Sequence, residues 1–180
     1  MIRDGFSIAE FRDHLVAEGL AAAGDFAGCA EAEIHGVLRA QLVLGVPALY
    51  RDFLAVMGKR PYPLMQGTDW TYDDLLELKR DSADLLREND ADPALLDDAL
   101  VIAMHQGYVF YFIPAASAAP ADPPVWTYTE GEQPVRAFGT FREFLVSLER
   151  MRRRELSAYR ELEASGRFTM TRADDGTAGP

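Results

Sequence analysis

Among 180 residues there is a single cysteine, Cys29, and there are three histidines, His14, His35 and His105. A lone thiol closes no internal disulfide and forms no C-x-x-C pair, which excludes both a disulfide framework and a cysteine-based zinc module and fits a reducing compartment. None of the histidines opens an H-E-x-x-H or H-x-E pattern. No run of 18 apolar residues occurs, so no segment reads as a membrane span. The first residues, MIRDGFSIAEFRDH, have scattered charges and no apolar stretch, unlike a secretory signal or transit peptide. The expected location is the cytoplasm. Lysine is scarce as well, two against sixteen arginines. With abundant alanine, this is the bias of GC-rich codons and points to a bacterial source.

What is present is an ordinary globular balance: 48% hydrophobic and 26% charged residues. A chain of this length buries roughly two-thirds of the surface it exposes when unfolded, enough for one domain without staples. The formal net charge is −11, and its distribution is uneven. Residues 69–98 hold eleven acids and three bases, a balance of −8. Such a surface repels phosphate backbones, which argues against nucleic-acid binding, and draws in basic partners.

Helical signals fill the first half. Ser7 and Glu10 form an S-x-x-E capping box, with Phe6 and Phe11 as a hydrophobic staple. Ile8, Phe11 and Leu15 supply one apolar face, and Gly19 a stop. A second helix is expected from Glu31 to Leu44, with Ile34, Val37, Leu38, Leu42 and Gln41 along its stripe. Gly45-Val46-Pro47 breaks it, and a third helix carries Leu49, Tyr50, Phe53, Leu54 and Met57 up to Gly58. Thr71 and Asp74 cap a fourth, Tyr72 to Glu88, with Leu75, Leu78, Leu85 and Leu86 inward. The period then changes. LVIAMH and YVFYFI flank Gln106-Gly107 as a hairpin, and their largely apolar faces suit a covered sheet. VWTY and PVRAF form a second pair around Glu130-Gly131. Thr140 and Glu143 cap a last helix reaching about Glu163, before a polar tail expected to be mobile. Helices, then strands, then a closing helix make an α+β fold, with an antiparallel or mixed sheet of about four to six strands backed by helices.

Catalytic patterns are missing from this inventory. There is no G-x-S-x-G elbow, P-loop or G-x-G-x-x-G. Cys29 has no basic neighbour in sequence to stabilise a thiolate. The acid pairs Glu31/Glu33, Asp73/Asp74 and Asp97/Asp98 sit at helix ends, where caps and solvated faces are the ordinary use. No metal ligand set, cofactor site or catalytic residue is assigned. The aromatic residues are more suggestive. Trp70 lies in a loop beside acids, in GTDWTYDD, which is anchor material for a protein interface, although a structural tryptophan packed against the sheet is the slightly favoured reading.

The order of these motifs resembles the SUKH superfamily. EAEIHGVLRAQLVLGVPALYRDFLAVMG is similar to its opening helices, through Glu33, Ile34, Gly45, Pro47, Tyr50, Arg51, Phe53, Leu54 and Gly58. LVIAMHQGYVFYFI resembles its hairpin. DPPVWTYTEGE, with Asp122, Pro123, Pro124 and Val125, resembles the next strand pair, and AFGTFREFL, with Phe138, Phe141, Phe144 and Leu145, the closing helix. The likeness runs from Glu31 to Arg150, two-thirds of the chain. Val46-Pro47 stands where the family commonly has Leu-Pro, and Met57-Gly58 where it has Asn-Gly, as in a divergent subgroup.

The resemblance implies a SUKH-like domain over residues 31–164, after a helical extension at 1–30 and before a tail at 165–180. It implies a helix-backed sheet with a concave face for partners. Bacterial members mostly neutralise polymorphic toxins by binding them, fungal relatives are regulatory scaffolds of cell-wall synthesis, and neither is a known enzyme class. Many such toxins are nucleases, whose phosphate-holding surface is basic. The first expectation is therefore an immunity protein for a basic toxin domain; a regulatory scaffold and an uncharacterised enzyme are the alternatives. The expected contacts are Trp70, Asp73, Asp74, His105, Tyr108, Trp126, Tyr128 and Glu130.

Overall fold

The structure is a computed structural model, and it describes residues 7–61 and 64–165. Among the described residues six α-helices accompany one antiparallel sheet of five strands in sequential order. The helices are α1 (Ile8–Ala17), α2 (Glu31–Ala40), α3 (Ala48–Met57), α4 (Tyr72–Leu75), α5 (Leu78–Glu88) and α6 (Phe141–Ala164). The strands are β1 (Thr68–Asp69), β2 (Leu100–His105), β3 (Val109–Ile113), β4 (Val125–Thr129) and β5 (Val135–Phe138). The α+β class expected from the sequence is what the chain adopts.

Local chemistry sets most boundaries. Ser7 Oγ accepts the Glu10 amide at 3.1 Å, and Thr140 Oγ1 accepts that of Glu143 at the same distance, each satisfying a helix-start N–H that has no partner in its own helix. Phe6, the other half of the expected staple, lies outside the described residues, as does the tail from 166 to 180. The hairpin between β2 and β3 closes through Tyr108 N–H donating to His105 O, with Gln106 and Gly107 at φ 49° and 80°, as a type I′ turn requires. The segment before α2 runs so close to α3 that a Cβ on Gly28 would lie 1.8 Å from Ala55 O. Only glycine fits there, and Cys29 N–H donates to Leu54 O beside it at 2.8 Å.

Phe110, Phe112, Trp126 and Tyr128 share one face of the sheet, in register and in ring contact, with centroids 5.2–6.4 Å apart. Tyr111 points to the other face, where it meets Phe144 of α6. There Tyr50, Phe53, Trp70 and Phe141 form an aromatic cluster with centroid separations of 5.2–5.7 Å. α5 packs against β2, and Leu86 and Leu95 approach Tyr128 on the first face. Leu100–Met104 are buried throughout, so β2 is covered on both faces. Ile8, Phe11 and Leu15 of α1 belong to this same core.

Two helix boundaries depart from expectation, and one side chain lies at both. Gln41 is fully buried at the C-cap of α2. Its Oε1 accepts the Val101 amide at 2.8 Å, and its Nε2 donates to Val101 O at 2.7 Å and Leu75 O at 3.1 Å. The side-chain amide thus satisfies β2 at Val101, beyond the two residues that β1 covers. α2 therefore ends at Ala40, not Leu44, and Leu42 turns outward at φ 52° with 82% of its surface exposed. The expected single helix from Tyr72 to Glu88 is divided into α4 and α5 where Leu75 O accepts from Gln41, with Leu76 and Glu77 making shorter-range bonds between them. Lys79 Nζ closes the knot by donating to Gln41 O at 2.6 Å, and its burial lowers the ammonium pKa.

Candidate protein-interaction site

The acid-rich segment 69–98 forms an outer surface of α4, α5 and the 3₁₀ turn Pro93–Leu96. Part of its charge is neutralised locally. Arg80 pairs with Glu77 and Asp81, and Arg87 with Asp84. Asp74 is a cap: its Oδ2 accepts the amides of Trp70 and Thr71 and the Thr71 hydroxyl at 2.7–3.0 Å. Asp92 accepts the Ala94 amide. Among the described residues Asp69, Asp73, Glu88 and Asp90 enter no ion pair and are exposed. Partial burial, then repulsion from Asp74 and Asp81, raises the Asp69 carboxyl above the usual range.

The expected contact residues divide into two groups. His105, Tyr108 and Glu130 gather at one end of the sheet: Tyr108 O accepts the Glu130 amide at 2.9 Å, and the Tyr108 ring stands edge-on to His105. Thr68 Oγ1 lies 2.8 Å from His105 Nδ1, which brings Asp69 on β1 next to the same end. Asp73 is exposed, and Trp126 is half-buried across from Arg136. Trp70 and Tyr128 are corrections. Trp70 is only 2% exposed and stacks on Phe53, so it is a core residue with nothing to offer a partner surface. Tyr128 is 1% exposed, its ring stacked on Phe110, and is no surface anchor. Asp74 is committed to holding the start of α4.

No known protein family, curated protein or solved structure matches this chain. The site is therefore read from its own residues.

Those residues include several that sequence reasoning missed. A cleft of about 330 Å³ lies where α5 ends beside the β4–β5 turn, lined by Leu86, Leu95 and Tyr128 below and by Asp90, Asp92 and Glu132. Asp90 and Glu132 are 42 positions apart, which hides the cluster from any local pattern. The one local sign is the string RENDADP, where a helix ends without the usual glycine. Leu42 and Leu44 are the other surprise: both are large, apolar and largely solvent-exposed.

Groups of catalytic type are otherwise occupied. Burial, reinforced by Glu33, pushes the Cys29 thiol up to about 11, so it stays protonated at neutral pH. Glu33 is bonded to Lys59 Nζ and the Ala30 amide, which hold its carboxyl below the usual range. Glu31 pairs with Arg51 and His35. Among the described residues no group of three or more His, Cys, Asp or Glu could hold a metal ion, and no helix is long and apolar enough to cross a membrane.

Proposed function

We propose that this chain is a non-catalytic binding domain of the SUKH type, a bacterial immunity protein that neutralises a toxin by covering its basic surface. The observation that carries the reading is the concentration of unpaired carboxylates on one outer stretch. Asp69, Asp73, Glu88 and Asp90 cluster within residues 69–98, and that segment carries −8 of the chain's −11. Opposite charge steers encounter and rejects wrong partners. A nuclease domain, whose active surface must hold phosphates, is the most complementary toxin class. The occupied state of Cys29, Glu31 and Glu33 is consistent with action by binding.

The test is co-expression in bacteria of this protein with each candidate nuclease-type toxin domain found in its genomic neighbourhood. Protection is expected, together with its loss when Asp69, Asp73, Glu88 and Asp90 are all replaced by lysine. Killing that proceeds unchanged beside the intact protein would remove the immunity reading.

A further inference from the structure

The cleft at the end of α5 combines features that a plain acidic patch lacks. Its floor is apolar, built from Leu86 and Leu95, and its rim carries Asp90, Asp92 and Glu132. Tyr128 lines it too, and although the residue is almost wholly buried, its hydroxyl has no hydrogen-bond partner among the described residues. Unlike the Tyr50 hydroxyl, which is buried without a partner, that of Tyr128 keeps access to solvent where the residue lines the space rimmed by carboxylates. Three carboxylates, which only accept hydrogen bonds, dominate the space, Gln133 and Tyr128 can each donate or accept, and the remaining walls are apolar. The complement is a side chain with an apolar stem and a planar, multiply donating cationic head.

We infer that this cleft is a socket for an arginine side chain of the protein partner. The inference rests on the reading of a basic partner and adds where, and through which side chain, that partner is gripped. The guanidinium would donate to the rim carboxylates and the Tyr128 hydroxyl, with its methylenes against Leu86 and Leu95. The position of Asp90 accords with this role. It occupies the left-handed position that ends α5, at φ 53°, with its own amide donating to Arg87 O and the next amide, of Ala91, to Leu86 O. Glycine is the usual residue there, and a carboxylate faces the negative end of the helix dipole. Local folding therefore disfavours aspartate at this place.

The experiment is an NMR titration of the full chain at low ionic strength with N-acetyl-arginine amide, and in parallel with N-acetyl-citrulline amide, its uncharged isostere. Saturable shifts are expected at the amides of residues 90–92, 94–95 and 132–133, with citrulline about tenfold weaker or more. Asp90→Gly and Glu132→Gln should each weaken binding, while Asp90→Gly raises the thermal midpoint by about 1–3 °C, so that loss of binding cannot be loss of fold. Equal shifts with citrulline, arginine shifts spread evenly to Asp73 and Glu88, or undiminished binding by the two variants would overturn the socket. No toxin enters this titration, so its failure leaves the immunity reading standing. Arginine binding by a protein that gives no toxin protection removes that reading and keeps the socket.

Discussion

The two faces of the sheet follow different rules. On the α3–α6 face, each large side chain has a packing reason: Tyr50, Phe53, Trp70 and Phe141 meet in stacked or edge-to-face pairs, and Phe144 bridges them to Tyr111. At the end of α5 on the other face, packing explains Leu86 and Leu95 and a capping bond explains Asp92, but neither explains Asp90 or Glu132. The first region is shaped by burial. The second keeps an acid at a glycine position on the rim of a cleft, a choice that selection for stability alone would remove. The difference separates the residues that hold the fold from those available to a partner.

The contrast is sharpest at Phe53. Phe53→Ala should destabilise the protein by about 3–5 kcal/mol, since it opens a cavity among three aromatic rings, and chemical denaturation would measure it. A loss under 1 kcal/mol would mean that the cluster is loosely packed. Gln41→Leu keeps the volume but leaves the Val101 N–H and C=O without their partner. A loss of about 2–4 kcal/mol is expected, with faster amide exchange at Val101.

Glu149 of α6 supplies a smaller, pH-dependent effect. Its burial alone would raise its pKa, but hydrogen bonds from Arg153 and His14 outweigh that and lower it. A carboxylate with a depressed folded pKa stabilises the protein above its unfolded value, near 4.3, and that contribution disappears as pH falls through the folded pKa. Glu149→Gln should therefore lower stability by about 0.5–1 kcal/mol at pH 7, with the gap to wild type closing below about pH 4 in thermal melts. The smallest effect has the opposite sign. Asp90→Gly should stabilise by about 0.5–1 kcal/mol, whereas glycine at most sites would weaken the chain.

The legible parts of the fold were those encoded by neighbours in sequence. Ser7, Thr71 and Thr140 announced helix starts because a capping interaction spans three residues. Gln106-Gly107 announced the hairpin because its turn needs two positive φ values in a row. The end of α2 and the break between α4 and α5 were not legible, because they lie where Gln41 meets Val101 and Leu75, far away in sequence. Trp70 shows the same limit: beside acids in a loop it reads as an anchor, yet Phe53 draws it into the core. Of the expected contacts, Asp73, His105, Tyr108 and Glu130 do reach the surface or a sheet end. Tyr128 contributes only at the floor of a cleft whose rim comes from two distant segments.

The most direct measurement is calorimetric titration of the purified protein into a purified basic nuclease domain against which co-expression gives protection, at about 50 mM and about 500 mM salt. Saturable one-to-one binding is predicted, weakened at least about tenfold by the added salt and weakened again by Asp90→Gly. No binding at either salt, or tight binding indifferent to both salt and Asp90, would contradict an acidic surface that works by gripping a basic partner.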